Sequence, residues 1–307
     1  MRISAGLDLP HLPGGHPLRP ILGAALRRKG LSGARASGAG KAHWDAAHFG
    51  LDKTRAYREL SERGRRQVLE ACGRSLLEEG YFIEKLGLAF TAKMTALSRT
   101  TEERQLYCLF AADEAAHLAV IGSFLPGVPS PQGNPFLRLI ARVIEEGAKP
   151  GLTYLIQVVL EGWGVSHYRD LAAGCRDPEL ARALAGIVRD EALHHGSGAA
   201  LLEGAPVPES ERAFVTEILA SLISMVRAGP QEAAGHLERA AGGLTLAARA
   251  RVFSELDCRG HSARRIKRLQ TLMAAAESGP ILETLQSKGV LTPLDASACA
   301  KIRTPPR

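Results

Sequence analysis

Residues 111–117 read Ala-Ala-Asp-Glu-Ala-Ala-His, and residues 188–194 read Val-Arg-Asp-Glu-Ala-Leu-His. The two Asp-Glu-Ala-x-His motifs lie 77 positions apart, and the same offset pairs Leu125 with Leu202, Gly127 with Gly204 and Pro129 with Pro206. Upstream it pairs Glu84 with Glu161 and Gly87 with Gly164, each Glu following two apolar residues, Phe82-Ile83 and Val159-Leu160. Each half therefore carries a Glu and, 30 residues later, a Glu-x-x-His. One Glu-x-x-His is unremarkable on a solvated helix. Two in register at nine positions read as an internal repeat.

The surrounding pattern is helical. Residues 64–97 carry Leu69, Cys72, Leu76, Ile83, Leu86 and Phe90 at three- and four-residue spacing. Ser98-Arg99-Thr100-Thr101 is a short connection, and Thr100 followed by Glu103 reads as a capping box for a helix running to about Phe124. Residues 135–173 are helical again, with a break expected at Pro150-Gly151. Asp177 and Pro178 open a fourth helix that ends near Leu202. A fifth is expected over 209–228, with several shorter ones over 230–290 and no strand anywhere. Short loops imply antiparallel neighbours, so the fold expected is all-α: a four-helix bundle core over 51–208 with a C-terminal helical extension over 209–307.

The spacing has a geometric meaning. Glu and His at i, i+3 share a helix face, so both reach one metal. Glu84 and Glu114 stand about equally far from the turn at 98–101, and Glu161 and Glu191 from the turn at 174–178, so each pair sits level in its hairpin. Two such hairpins aim four Glu and two His at one point. Buried carboxylates in that number repel and desolvate at high cost unless cations neutralise them. Carboxylates with one imidazole per metal suit two iron or manganese ions.

This pair of units resembles the ferritin-like di-iron carboxylate superfamily over about residues 64–204. The resemblance implies that Glu84, Glu114 and His117 serve one iron and Glu161, Glu191 and His194 the other, with Glu114 and Glu191 bridging. It implies that Asp113 orients His194 and Asp190 orients His117. Glu79 stays open as an alternative to Glu84, because Glu79-Gly80-Tyr81 resembles Glu161-Gly162-Trp163. The implied activity is an O2-dependent oxidase or oxygenase that hydroxylates, N-oxygenates or desaturates a small organic substrate, fed by an external electron donor, with a homodimer open. The alternatives are an iron-storage protein, a radical-generating subunit and a tRNA-modifying hydroxylase.

Helical phase places Ile83, Tyr107, Phe110, Val158 and Trp163 beside the metals as a candidate pocket. Tyr107, Tyr154 and Tyr168, each seven residues from a ligand Glu, are expected to pack in the core. Gly87 and Gly164, three after Glu84 and Glu161, leave room either for substrate or for close helix packing. His167 is expected to pack, and His195 to lie behind the ligands or at the surface.

The chain has 307 residues and a net charge of +7, of which +6 falls in residues 1–41 through Arg2, Arg19, Arg27, Arg28, Lys29, Arg35 and Lys41 against Asp8. Residues 1–50 read as a basic Gly/Pro-rich tail or loop. Pro10, Pro13, Pro17 and Pro20 argue against an amphipathic targeting helix there. No continuous apolar run reaches the ~20 residues that span a bilayer, so no membrane partner is expected. Five scattered cysteines with no CxxC indicate neither a disulfide framework nor a thiolate zinc site, and suggest a reducing cytoplasm. Arg264, Arg265, Lys267 and Arg268 read as a solvated face, with an anionic carrier or nucleic acid as the alternative partner.

Overall fold

The computed structural model describes residues 4–28, 42–130, 133–203, 207–274 and 279–302. Arg2, Lys29, Arg35 and Lys41 of the basic segment, and Gly204 and Pro206 of the repeat, lie outside the described residues. Among the described residues there is no strand, and the fold is all-α. In chain order the helices are α1 (Leu18–Arg28), α2 (Arg55–Arg58), α3 (Glu62–Leu97), α4 (Thr101–Ser123), α5 (Pro135–Glu146), α6 (Lys149–Leu152), α7 (Gly162–Gly174) and α8 (Pro178–Leu202). They continue as α9 (Glu209–Val226), α10 (Gln231–Ala240), α11 (Leu246–Glu255), α12 (Cys258–Ala274), α13 (Gly279–Ser287) and α14 (Ala296–Lys301). Between α6 and α7, Thr153–Glu161 forms a π-helix.

The chain divides into two units, one of Met1–Ala39 and Leu76–Lys149, the other of Gly40–Ser75 and Pro150–Arg307. The first unit holds the first hairpin. Thr100 caps α4 by accepting from the Glu103 N–H at 3.1 Å, while the Glu103 carboxylate accepts from the Arg99 N–H at 2.9 Å. The reciprocal box thus reaches one residue ahead of the cap. Two otherwise unsatisfied donors at the helix start are met, so the turn at 98–100 is fixed locally. Lys93 on α3 donates to the carbonyls of Ile144 (2.5 Å) and Gly147 (2.8 Å) at the end of α5, where a cation offsets the helix dipole.

Residues 4–28 are more ordered than a tail. The Ala5 N–H donates to Glu145 at 3.0 Å, Lys85 donates to the carbonyls of Leu7 and Leu9, and His11 bonds the Tyr81 hydroxyl at 3.1 Å. The helix α1 then forms despite its proline. Pro20 sits in the first turn, where the missing N–H has no intrahelical partner to lose.

The second unit holds the second hairpin and the C-terminal helices. Asp177 caps α8 by accepting from the Glu179 and Leu180 N–H groups at 3.0 and 3.2 Å, with Pro178 next in line. His43, in the segment before α2, lies with its Nδ1 3.6 Å from the same Asp177 carboxylate. Trp44 is buried and its indole N–H donates to the Leu171 carbonyl at 2.9 Å. Leu51, Tyr57, Leu237, Val252 and Phe253 share one apolar cluster with the buried thiols Cys72, Cys258 and Cys299. Arg249 fastens the chain's last helix to it, donating to Glu238, Gln231 and the Ile302 carbonyl.

By length and composition Thr101–Ser123 and Glu209–Ala240 are apolar enough to cross a membrane. In the second stretch a turn after α9 ends one helix and starts another, and α9 buries Val215, Ile218, Leu219, Leu222 and Ile223 within its own unit. In the first, α4 buries Tyr107 and Phe110 together with Glu114 and His117. Each stretch therefore packs part of its surface within its own unit.

Candidate metal centre

The first unit gathers two Glu and a His, and in the second Glu161 and Glu191 each approach His194. In the first, Glu84 on α3 is 1% exposed, and Glu114 and His117 on α4 are 4% exposed. Ligand atoms of all three lie within 4.8 Å of one another. His117 Nδ1 and Glu84 Oε2 are hydrogen-bonded at 3.1 Å.

The room for this arrangement comes from Gly87. A methyl at that position would overlap the Glu114 carboxylate, so the glycine lets the side chain of α4 enter against the backbone of α3. Between the two uses the sequence left open, close packing is the one found here, and what packs is a ligand carboxylate. Gly164 differs, since a methyl there meets nothing within 4 Å.

Glu79 lies five residues before Glu84 and is half-buried; its carboxylate accepts from the Asn134 side-chain amide at 3.2 Å. Asn134 in turn caps α5. The structure therefore sets Glu84, not Glu79, beside His117.

In the second unit Glu191 and His194 are 6% and 0% exposed, with Glu191 Oε2 3.9 Å from His194 Nδ1. Glu161 is half-buried at the end of the π-helix, with a carboxylate oxygen within 4.8 Å of a His194 ring nitrogen. Sequence periodicity gave no sign of the π-helix. Its i→i+5 bonding widens each turn by about one residue, so seven-residue spacing no longer returns to one face. The phase that put Tyr154 level with Glu161 therefore does not hold, and Tyr154 is fully buried.

The π-helix is stitched to α8 beside His194. Gln157, 0% exposed, donates through Nε2 to Ser197 Oγ at 3.2 Å and to the His194 carbonyl at 3.4 Å. The Ser197 hydroxyl donates to the same carbonyl at 2.8 Å, and His195 Nδ1 donates to the Gln157 carbonyl at 3.1 Å. Gly198 makes this approach feasible, since a methyl there would stand 2.5 Å from Gln157 Cβ. Gln157 was not a candidate from sequence, though it is the one polar residue in the run Tyr154-Leu155-Ile156-Gln157-Val158-Val159-Leu160.

The remaining candidates fall in several settings. Tyr107 is fully buried and meets Phe90 and Phe110 edge to face, at ring separations of 6.3 and 6.0 Å, which is packing geometry. Val158 is buried, whereas Ile83 and Trp163 are half-buried, as are Asp113 and Asp190. The Arg265 guanidinium lies over the Trp163 ring at 5.7 Å, so this member of the basic run is a packing residue. Burial, Arg265 and His48 lower the pKa of His167 to about 3, which keeps it neutral.

Residues 71–204 match the family model described as a ferritin-like domain. The match takes in both Glu…Glu-x-x-His units. Comparison with curated proteins and with solved structures returned no match.

Proposed function

We propose that the chain is a non-haem di-iron protein that uses O2 to oxidise a small organic substrate by hydroxylation, N-oxygenation or desaturation. The observation that carries this reading is the burial of Glu84, Glu114, His117, Glu191 and His194, with Glu161 half-buried, within the stretch that matches a ferritin-like domain. The donor set fits the metal. Carboxylates this deeply buried are costly without a compensating cation, and two carboxylates with one imidazole per ion suit iron, with manganese the nearest competitor.

Glu84, Glu114 and His117 would hold one ion and Glu161, Glu191 and His194 the other. When bound, the metal pair supplies the reducing equivalents and the binding site for O2, and an external donor restores it. The chain's residues hold this constellation. Gly87 admits the Glu114 carboxylate, and Gln157 with His195 fixes the π-helix that presents Glu161. Asp113 and Asp190 would set the imidazoles. Tyr107 and Phe110 are buried on α4 with Glu114 and His117, and Val158 is buried in the π-helix that presents Glu161. A dry, rigid surround of this kind protects an oxidant from side reactions.

The test is metal analysis of iron-loaded protein, followed by O2 uptake after anaerobic reduction. The expected result is about two irons per chain, lost in Glu114→Ala and Glu191→Ala. Iron content well below this, unchanged by both substitutions, overturns the di-iron reading. Uptake far beyond two ions without substrate oxidation assigns storage instead.

A further inference from the structure

The helix α1 has no buried residue. Leu18, Ile21 and Leu22 are 53%, 63% and 56% exposed, and helical spacing puts them with Ala25 on one face. Just before them Leu9 and Leu12 are exposed as well. Five of the twelve large exposed hydrophobics of the described chain fall between residues 9 and 22, so the apolar exposure is concentrated and not scattered. The helix contains Arg19, Arg27 and Arg28 and no acidic residue.

This face is displayed from a fixed base. Ala5 is buried with its N–H on Glu145, Lys85 holds the carbonyls of Leu7 and Leu9, and Arg19 donates to the carbonyls of Leu12 and Pro13. Arg19 is thus occupied in the turn before the helix, while Arg27 and Arg28 are exposed in its last turn. An apolar stripe flanked by arginines suits a surface that is apolar beneath and anionic above. A second copy of the chain fits less well, because a two-fold contact through α1 brings arginines together with no carboxylate of the helix to meet them.

We propose that α1 and the segment leading to it form an interfacial anchor that lays the first unit on an anionic lipid surface. Leu18, Ile21 and Leu22 enter the headgroup layer, and Arg27 and Arg28 pair with lipid phosphates. The contact lies in the membrane plane and spans nothing.

Co-sedimentation of the full-length protein with vesicles tests this. The chain is expected to pellet with vesicles of phosphatidylglycerol and phosphatidylcholine in equal parts, and to stay in solution with phosphatidylcholine alone or at high salt. Ile21→Glu with Leu22→Glu should weaken binding by about tenfold or more, and Arg27→Gln with Arg28→Gln should reduce it toward the phosphatidylcholine level. Neither pair touches a buried contact, so thermal unfolding should match the parent. No binding to the anionic vesicles, or binding unchanged in the Glu variant, overturns the proposal. A concentration-dependent dimer lost in the Glu variant overturns it in favour of a second copy.

Discussion

Gly87 and Gly164 occupy matching places in the repeat and do different work. Gly87 stands against the Glu114 carboxylate, and Gly164 faces open space. Gly87→Ala should therefore push Glu114 aside and lower iron per chain, measured by metal analysis of the loaded protein, while far-ultraviolet circular dichroism keeps its helical signal. Gly164→Ala should leave iron content unchanged and shift stability by at most about 1 kcal/mol, in the stabilising direction, because alanine lowers the entropy of the unfolded chain. Equal metal loss in both variants would contradict the Gly87 contact. The cysteines make a second residue-scale prediction. Cys108 is exposed, whereas Cys72, Cys258 and Cys299 are buried, with burial raising Cys72 and Cys299 to about 12. A thiol reagent should label Cys108 first and reach the three buried thiols only on unfolding.

At the scale of elements, the π-helix is the part periodicity missed. Its turns depend on tertiary partners: Gln157 inside, His195 from α8, and the bare backbone at Gly198. Gln157→Leu removes the bonds from its amide to Ser197 and to the His194 carbonyl, so the substitution should cost about 1–3 kcal/mol in urea unfolding. Hydrogen exchange over 153–161 should accelerate more than over α9 in that variant. The starts of α4 and α8, at Thr100 and Asp177, were plain from sequence because capping is local, whereas the Asn134 cap of α5 was found in the structure. Thr100, Asn134 and Asp177 each accept from N–H groups two or three residues ahead, at the starts of α4, α5 and α8. Asp177→Ala should cost about 1 kcal/mol by loss of that cap.

For the molecule as a whole, acid should destabilise the fold through its neutral histidines. Burial lowers His167 to about 3 and His261 to about 4, while both titrate near 6.5 in the unfolded chain. The unfolded state therefore binds the protons first. Stability present above pH 6.5 falls as the pH drops toward 4, with a slope on the order of 1 kcal/mol per pH unit for each histidine. Chemical denaturation between pH 7 and pH 4 checks the slope, and His167→Phe should flatten it by one proton. Metal should act in the same direction, since its ligands bind it deprotonated: iron or manganese should raise the melting temperature less at pH 5 than at pH 7.

The sequence by itself determined the helical class, the hairpin ends and the two Glu…Glu-x-x-His units, because apolar periodicity, caps and i, i+3 spacing are properties of short segments. It also located six ligand candidates by repetition alone. Tertiary structure decided what depends on neighbours distant in the chain. Glu84 takes the place beside His117, while Glu79 is bonded to the Asn134 cap. The space at Gly87 holds a carboxylate, and Thr153–Glu161 takes the wider π turn. The basic N-terminal segment, which composition showed only as charge, carries a helix with an exposed apolar face. Each of these turns on which surfaces meet, and spacing along a chain fixes a face without fixing what lies against it.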